Sequence, residues 1–372
     1  MIIRFNNRFK RNITSNTNIQ DNLIDYILYV KSIKESDIKN YIYYNNYKYP
    51  KVSFIVSVFN KEQYLKSFIS SIQMQDLKEI EIVFVDDFSS DKSIKIIKDF
   101  RKRDKRIKLI NNKKNMGSLY SRAIGGKIAK GNYFIFFDSD DIILKEGIIK
   151  AYNHIIKYKL DIVQFISIYQ KNNTITPSTH YYKYKNVIKQ PILSYIFYYD
   201  KSGVENNVAL WDKLVKKQVV LKSLKYIGKK FIKEKIIIEN DVVLLFSIIK
   251  IAESYQFIES FGYYYFRTNK GSISNNKGPN KINEIFHSLF MNINFLYEKT
   301  SNNYIDKYFC VYKIKQFFQR YKNILKYGKQ QYNFMKKIFN ILFDSKFISS
   351  KDKLYLIKLY FTIFNIDGSI KE

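Results

Sequence analysis

Short apolar runs alternate with helix-spaced apolar stripes through the first half of the chain. Val52-Ser53-Phe54-Ile55-Val56-Ser57-Val58 is too short and too uniformly apolar for a surface helix, and predicts a buried strand. Phe59-Asn60-Lys61-Glu62 follows, where Asn60 can cap a helix with Gln63 as its reciprocal partner. Tyr64, Leu65, Phe68, Ile69 and Ile72 then recur at helical spacing. Residues 80–85 predict another strand, which ends in Asp86-Asp87-Phe88-Ser89-Ser90-Asp91. A short helix, a strand at 107–110, Asn115-Met116-Gly117 and a helix carrying Arg122 come next. Tyr133-Phe134-Ile135-Phe136-Phe137 closes the series as a further strand. The order βαβαβαβ predicts a mostly parallel, Rossmann-like sheet flanked by helices.

Candidate chemistry sits at the strand ends. Asp138-Ser139-Asp140-Asp141 directly follows the last strand, so its carboxylates lie at the edge of the sheet where open α/β folds bind ligands. Such a cluster repels itself unless a cation neutralises it. A hard divalent metal that bridges to substrate phosphates is one reading, and a polar turn capping the next helix is the other.

The ordered pieces V-S-V-F-N, V-D-D-F-S-S-D, N-x-G-x-x-x-x-R and F-D-S-D-D resemble a bacterial, non-processive family 2 glycosyltransferase of the GT-A fold. Trp211-Asp212-Lys213-Leu214 resembles the W-N-K-L segment of that family, and Glu239-Asn240-Asp241 its acidic pair before an apolar helix. Tyr263-Tyr264-Tyr265-Phe266-Arg267 with Ser272-Ile273-Ser274 resembles its closing motif. The resemblance covers roughly residues 51–275. It implies an inverting transfer of one sugar from a nucleoside-diphosphate sugar, with a UDP-sugar as the expected donor, to a hydroxyl acceptor in surface glycan biosynthesis. By the same resemblance Ser57 and Phe59 line the base pocket, and Asp87 reads the uracil edge. Glu62, Arg122, Asp138, Ser139 and Asp140 complete the nucleotide-sugar site, Asp140 or Asp141 holds Mn²⁺ or Mg²⁺, and Asp241 is the catalytic base with Glu239 in reserve. Phe59 replaces a frequent Tyr, Asn240 the first acid of its pair, and Asp212 the Asn of W-N-K-L. Trp211 is the sole tryptophan, so the Q-x-x-R-W motif of processive polymer synthases is absent. A nucleotidyltransferase would place a Gly-rich loop after the first strand, and none follows Val58. The alternative within the same fold is a degenerate member that binds a nucleotide sugar or a partner without catalysis.

The sequence divides into a 1–50 extension, a 51–275 catalytic region with its nucleotide half at 51–170 and acceptor half at 171–275, and a basic helical 276–372 region. A helix is expected near 19–33, and a loop-rich stretch at 171–190. Phe286, Leu289, Phe290, Ile293 and Leu296-Tyr297 predict one C-terminal helix, and 351–364 a basic one. These helices form either a bundle packed on the catalytic region or a basic surface for a membrane or partner. The 372 residues carry 64 Lys+Arg against 33 Asp+Glu, a net charge of +31. Compositional bias, anionic lipid and nucleic acid all fit that charge, but no nucleic-acid-binding motif accompanies it, so no nucleic-acid partner is expected. The histidines His154, His180 and His287 are scattered and form no metal cluster. A single cysteine, Cys310, precludes an internal disulfide. With no apolar signal core and no run long enough for a membrane helix, the expected location is the cytoplasm, with peripheral contact to the inner face of the plasma membrane as an option.

Overall fold

The computed structural model describes residues 4–5, 17–32, 47–171, 174–177, 186–190, 209–265, 282–299, 309, 313 and 316–317. Its first strands are β1 (Arg4–Phe5), β2 (Val52–Val58), β3 (Ile80–Asp86), β4 (Ile107–Asn111), β5 (Tyr133–Asp138) and β6 (Ile142–Ile143). Five more follow: β7 (Ile162–Lys171), β8 (Thr174–Pro177), β9 (Ile188–Lys189), β10 (Lys213–Lys216) and β11 (Ser254–Tyr265). Among the described residues they form one sheet, in the order β4-β3-β2-β5-β10-β7-β8-β1 along its main path. β2, β3, β4 and β5 pair in parallel. β11 runs parallel to β7 and also pairs with β6 and β9. The expected mixed α/β, GT-A-like architecture is present.

The apolar strands bury both faces. Phe54, Val56 and Val58 turn to one side of the sheet with Ile82, Phe84, Ile135 and Phe137. Ile55, Val83, Val85, Phe134 and Phe136 turn to the other. Alternation along a strand forces this division, and each such buried side chain contributes about 1.5–3 kcal/mol. On the first side lie α2 (Glu62–Gln73), α3 (Ser93–Arg103) and α5 (Gly147–Tyr158), through Leu65, Phe68, Ile69, Ile97, Ile148 and Ile155. On the second lie α4 (Ser118–Ile128), α6 (Lys217–Ile227) and α8 (Asn240–Ile251), with the short α7 (Lys229–Ile232) beside them.

The helix expected near 19–33 in the N-terminal extension is present as α1 (Thr17–Ser32). Ile27 and Val30 are buried, and the Tyr26 hydroxyl donates to the Ile143 carbonyl at 3.1 Å. The C-terminal helix α9 (Ile282–Lys299) buries Phe286, Leu289, Ile293 and Leu296, as its spacing predicts. It docks on the approach to α8: Ile237 N donates to Ser288 Oγ at 2.9 Å, and Asn292 Nδ2 to the Ile238 carbonyl at 3.1 Å. The expected helix at 351–364, the Arg267 and Ser272-Ile273-Ser274 motif, and Cys310 lie outside the described residues. No described helix is long and apolar enough to cross a membrane.

One local expectation fails for a physical reason. Asn60 does not cap α2: its φ is +51°, and its side-chain oxygen accepts from Ser90 N at 2.8 Å, tying two loops together. Ile236-Ile237-Ile238 is not a strand but an irregular apolar approach to α8, buried against α9. The antiparallel β10, inserted between β5 and β7, was hidden because two of its four residues are lysines. Lys213 is nevertheless fully buried, with Nζ on Asp212 Oδ1 at 2.6 Å and on the Ala209 carbonyl at 2.7 Å. Burial pushes the Lys213 ammonium down and the Asp212 carboxyl up, as expected for a desolvated pair. The loop-rich stretch includes the short β8 and β9.

Candidate active site

Strand register sets the geometry of the cleft. Ser57 on β2 pairs with Asp138 on β5, and Val58 pairs with Asp86 on β3. The chain therefore leaves β2, toward Phe59, between two acidic strand ends roughly 10 Å apart. Phe59 keeps 38% of its surface exposed here, and Phe88, at φ +69°, keeps 59%. Both rings face solvent at the edge of the sheet where a planar base could stack.

Arg122, on α4, is the hub. It is almost wholly buried, and its guanidinium spans two elements distant in sequence. One terminal nitrogen donates to Asp138 Oδ1 at 2.7 Å. The other donates to Asn240 Oδ1 at 2.5 Å and to Asp241 Oδ1. The start of α8 is thereby clasped to the end of β5, which brings Asp138 and Asp241 to one place. Asp241 stands in the first turn of α8, where the helix dipole favours a carboxylate, and is partly exposed. Neither Asn240 nor Asp241 is the helix cap. That position is Glu239, left-handed at φ +52° and making no side-chain cap hydrogen bond.

The four-residue Asp138–Asp141 turn separates its acids. Lys61 Nζ donates to Asp140 Oδ2 at 2.5 Å. Asp141 points the other way: it is buried, and Oδ2 accepts from the Tyr263 hydroxyl at 2.5 Å. Tyr263 stacks between Phe137 and Trp211, with centroids at 5.5 and 4.7 Å. Burial pushes the Tyr263 phenol well up, reinforced by Asp141 and Asp138. The Ser139 hydroxyl donates to the Ser57 carbonyl at 3.1 Å and holds the turn to β2. Burial raises the Asp138 carboxyl to about 6, with the Arg122 guanidinium opposing the shift and Asp241 and Asp140 adding to it.

Two further residues expected at the nucleotide site accept hydrogen bonds from the protein. Asp87 is buried, and both of its oxygens accept from the protein: Asn112 Nδ2 and Met116 N at 2.8 Å on one, Gly117 N at 2.7 Å on the other. It holds the loop that launches α4 and hence positions Arg122. Glu62 Oε2 accepts from Lys92 N at 2.8 Å, at the start of α3. The neighbouring Asp86 has one buried oxygen with no partner, a free acceptor at the same strand end. Sequence reasoning passed over Lys61 and Tyr263 as site residues. A lysine carries little signal among 64 basic residues, and Tyr263 lies in a run of three tyrosines.

No group of three or more His, Cys, Asp or Glu side chains among the described residues is arranged as a metal cage. The donor set still fits a hard cation shared with a ligand. Asp138 and Asp140 offer carboxylate oxygens at one cleft, the Asp138 carboxyl is raised first by burial and then by the neighbouring Asp241 and Asp140, and Asp140 already holds a cationic ammonium.

Comparison with known proteins bears on the family and the fold. The family model described as glycosyl transferase family 2 matches residues 53–209. An uncharacterized glycosyltransferase of Methanocaldococcus jannaschii, MJ1057, is 31% identical over 218 residues, covering 57% of this chain and 69% of its own length. The chain belongs to glycosyl transferase family 2. A cholesterol galactosyltransferase of Borreliella burgdorferi is 30% identical over 233 residues, or 60% of this chain. Across three curated relatives the matched stretch is 33%, 44% and 62% of their own lengths. Among solved structures, S. aureus TarS 1-349 in complex with UDP superposes with a TM-score of 0.59 at 17% identity, covering 83% of this chain and 87% of that one. The same protein in complex with UDP-GlcNAc gives 0.54. This family 2 chain therefore shares the TarS fold.

Proposed function

We propose that the chain is an inverting glycosyltransferase that moves one sugar from a UDP-sugar to a hydroxyl of a glycan, glycolipid or protein-linked acceptor in surface glycan biosynthesis. The observation that carries the reading is the Arg122 clasp, which joins a carboxylate of the strand-end D-x-D to a second carboxylate, on α8, in one cleft. The complexes of TarS with UDP and UDP-GlcNAc support the choice of donor.

The nucleotide lies across the carboxyl ends of β2, β3 and β5, with its base against Phe59 and Ser57. Asp138 and Asp140 would hold Mn²⁺ or Mg²⁺, which when bound neutralises charge on the diphosphate leaving group. Asp141, turned onto Tyr263, supports the turn rather than the ion. Asp241 accepts the proton of the acceptor hydroxyl as its oxygen attacks the anomeric carbon. The bond to the diphosphate breaks on the opposite face, so the configuration inverts without a covalent enzyme intermediate. Arg122 fixes the Asp241 carboxylate by Oδ1 and leaves its other oxygen available. The net charge of +31 supports peripheral contact with an anionic membrane, where glycolipid acceptors reside.

UDP release from a panel of UDP-sugars, with cell-envelope extract as acceptor, tests the proposal. Wild-type protein should release UDP, and Asp241→Asn should lose about 10²–10⁴-fold of that rate while still binding UDP. UDP binding without release from any donor would instead favour the non-catalytic member of the same fold.

A further inference from the structure

Lys61 is not an ordinary surface lysine. Its side chain is 16% exposed, and its partner Asp140 14% exposed. Three contacts fix it in place. Nζ donates to Asp140 Oδ2 at 2.5 Å, the ammonium lies 5.9 Å from the centre of the Tyr64 ring, and the backbone N donates to Ser93 Oγ at 2.9 Å. The left-handed backbone of Asn60 just before it sets the direction in which Lys61 leaves β2. Lys61 thus meets Asp140, whereas Arg122 holds Asp138 and Tyr263 holds Asp141.

We propose that Lys61 is a resident counter-cation that competes with the divalent metal for Asp140 and so makes metal binding depend on the nucleotide. The inference rests on the reading of Asp140 as a metal ligand. An ammonium and a hard divalent ion seek the same carboxylate oxygen, and as like charges they cannot share it at contact distance. Free metal entering the empty cleft must displace Lys61 and leave its charge without a partner. Metal arriving with a nucleoside diphosphate brings new anionic oxygens for the displaced ammonium. Binding of the two ligands is then coupled, and the coupling is reciprocal.

Calorimetry on the full chain stripped with a chelator tests this, with Mn²⁺ as probe in the absence and presence of UDP. Lys61→Met should bind Mn²⁺ alone at least about fivefold tighter than wild type, and UDP should enhance its Mn²⁺ affinity less than it does in wild type. Exposed Lys92→Met removes the same charge and should leave both values near wild type. A metal-free cycle of Lys61→Met, Asp140→Asn and the double variant tests the pair without metal. The unfolding constants should depart from additivity by at least about threefold. Additive unfolding, or Mn²⁺ affinity in Lys61→Met equal to or weaker than wild type, overturns the role of Lys61 while the metal site stands. Mn²⁺ binding that survives intact in Asp140→Asn overturns the metal assignment itself, and this inference with it.

Discussion

Arg122 concentrates the chemistry of the cleft into one side chain. Removing it leaves Asp138 and Asp241 facing each other without the guanidinium that pairs with both. Arg122→Met should cost about 3–5 kcal/mol of stability, the usual consequence of breaking a buried pair from one side. Urea unfolding would measure it, and a loss under about 1 kcal/mol would show that the clasp is not structural. Asp138 adds a pH dependence whose sign is fixed by its raised value of about 6. The folded state holds this proton more tightly than the unfolded state, so the contribution favours folding below about pH 4 and is lost as pH rises through about 6. Asp138→Asn removes that dependence. In metal-free melts the variant should therefore gain on wild type between pH 4 and 7, and a constant difference would contradict the raised value. The sequence exposed Asp138 and Asp140 as site candidates because acids after an apolar strand mark the ligand edge of a sheet, and Asp241 through the resemblance of Glu239-Asn240-Asp241 to the family's acidic pair. It did not separate Asp140 from Asp141, since the direction of one side chain in a tight turn depends on Tyr263, more than a hundred residues away. For Asp87 the deciding contacts are the backbone amides of Met116 and Gly117, which leave no compositional trace.

At the scale of elements, three close approaches hold the architecture to glycine. Gly117 precedes α4 at φ +85°, and a Cβ there would lie 3.0 Å from the Ile236 carbonyl. Its amide also feeds Asp87, so the conformation aims Arg122. Gly117→Ala should cost about 1–3 kcal/mol, because φ +85° with ψ 162° is a conformation essentially confined to glycine, and should weaken donor binding more than a remote change of equal cost. Gly147 opens α5 where that helix meets β11, and a Cβ would come 2.2 Å from the Gly262 Cα. Gly262 in turn has no room for a Cβ beside the Phe165 ring. Either alanine variant should lower the melting temperature by several degrees or prevent folding, and unchanged melting would place the elements further apart than described. The strands β2, β3, β4 and β5 were readable as elements because period and length agree for fully buried strands. β10 was not, because its lysines suit a loop until Asp212 and a carbonyl accept one of them.

For the molecule as a whole, the described sheet runs without a break from strands of residues 51–170 into strands of residues 171–275, and the family match at 53–209 crosses position 170. The order of motifs made the fold legible, whereas the docking of α1 and α9 was not, since amphipathic periodicity tells that a helix packs but not against what. The charge of +31 predicts binding to anionic vesicles that weakens as salt rises, because exposed charges are screened beyond about 8 Å at physiological ionic strength. Sedimentation with neutral and anionic vesicles separates this from compositional bias: equal pelleting with both, or with neither, would leave the charge without a membrane role. The central claim is a nucleotide-sugar site built on the Asp138–Asp141 turn. Its most direct measurement is calorimetric titration of UDP into wild type and Asp140→Ala, each with Mn²⁺ and with chelator. The account predicts tight binding only for wild type with Mn²⁺, and a loss of at least about tenfold, near 1.4 kcal/mol, in the other three conditions. Equal UDP affinity in all four would contradict it.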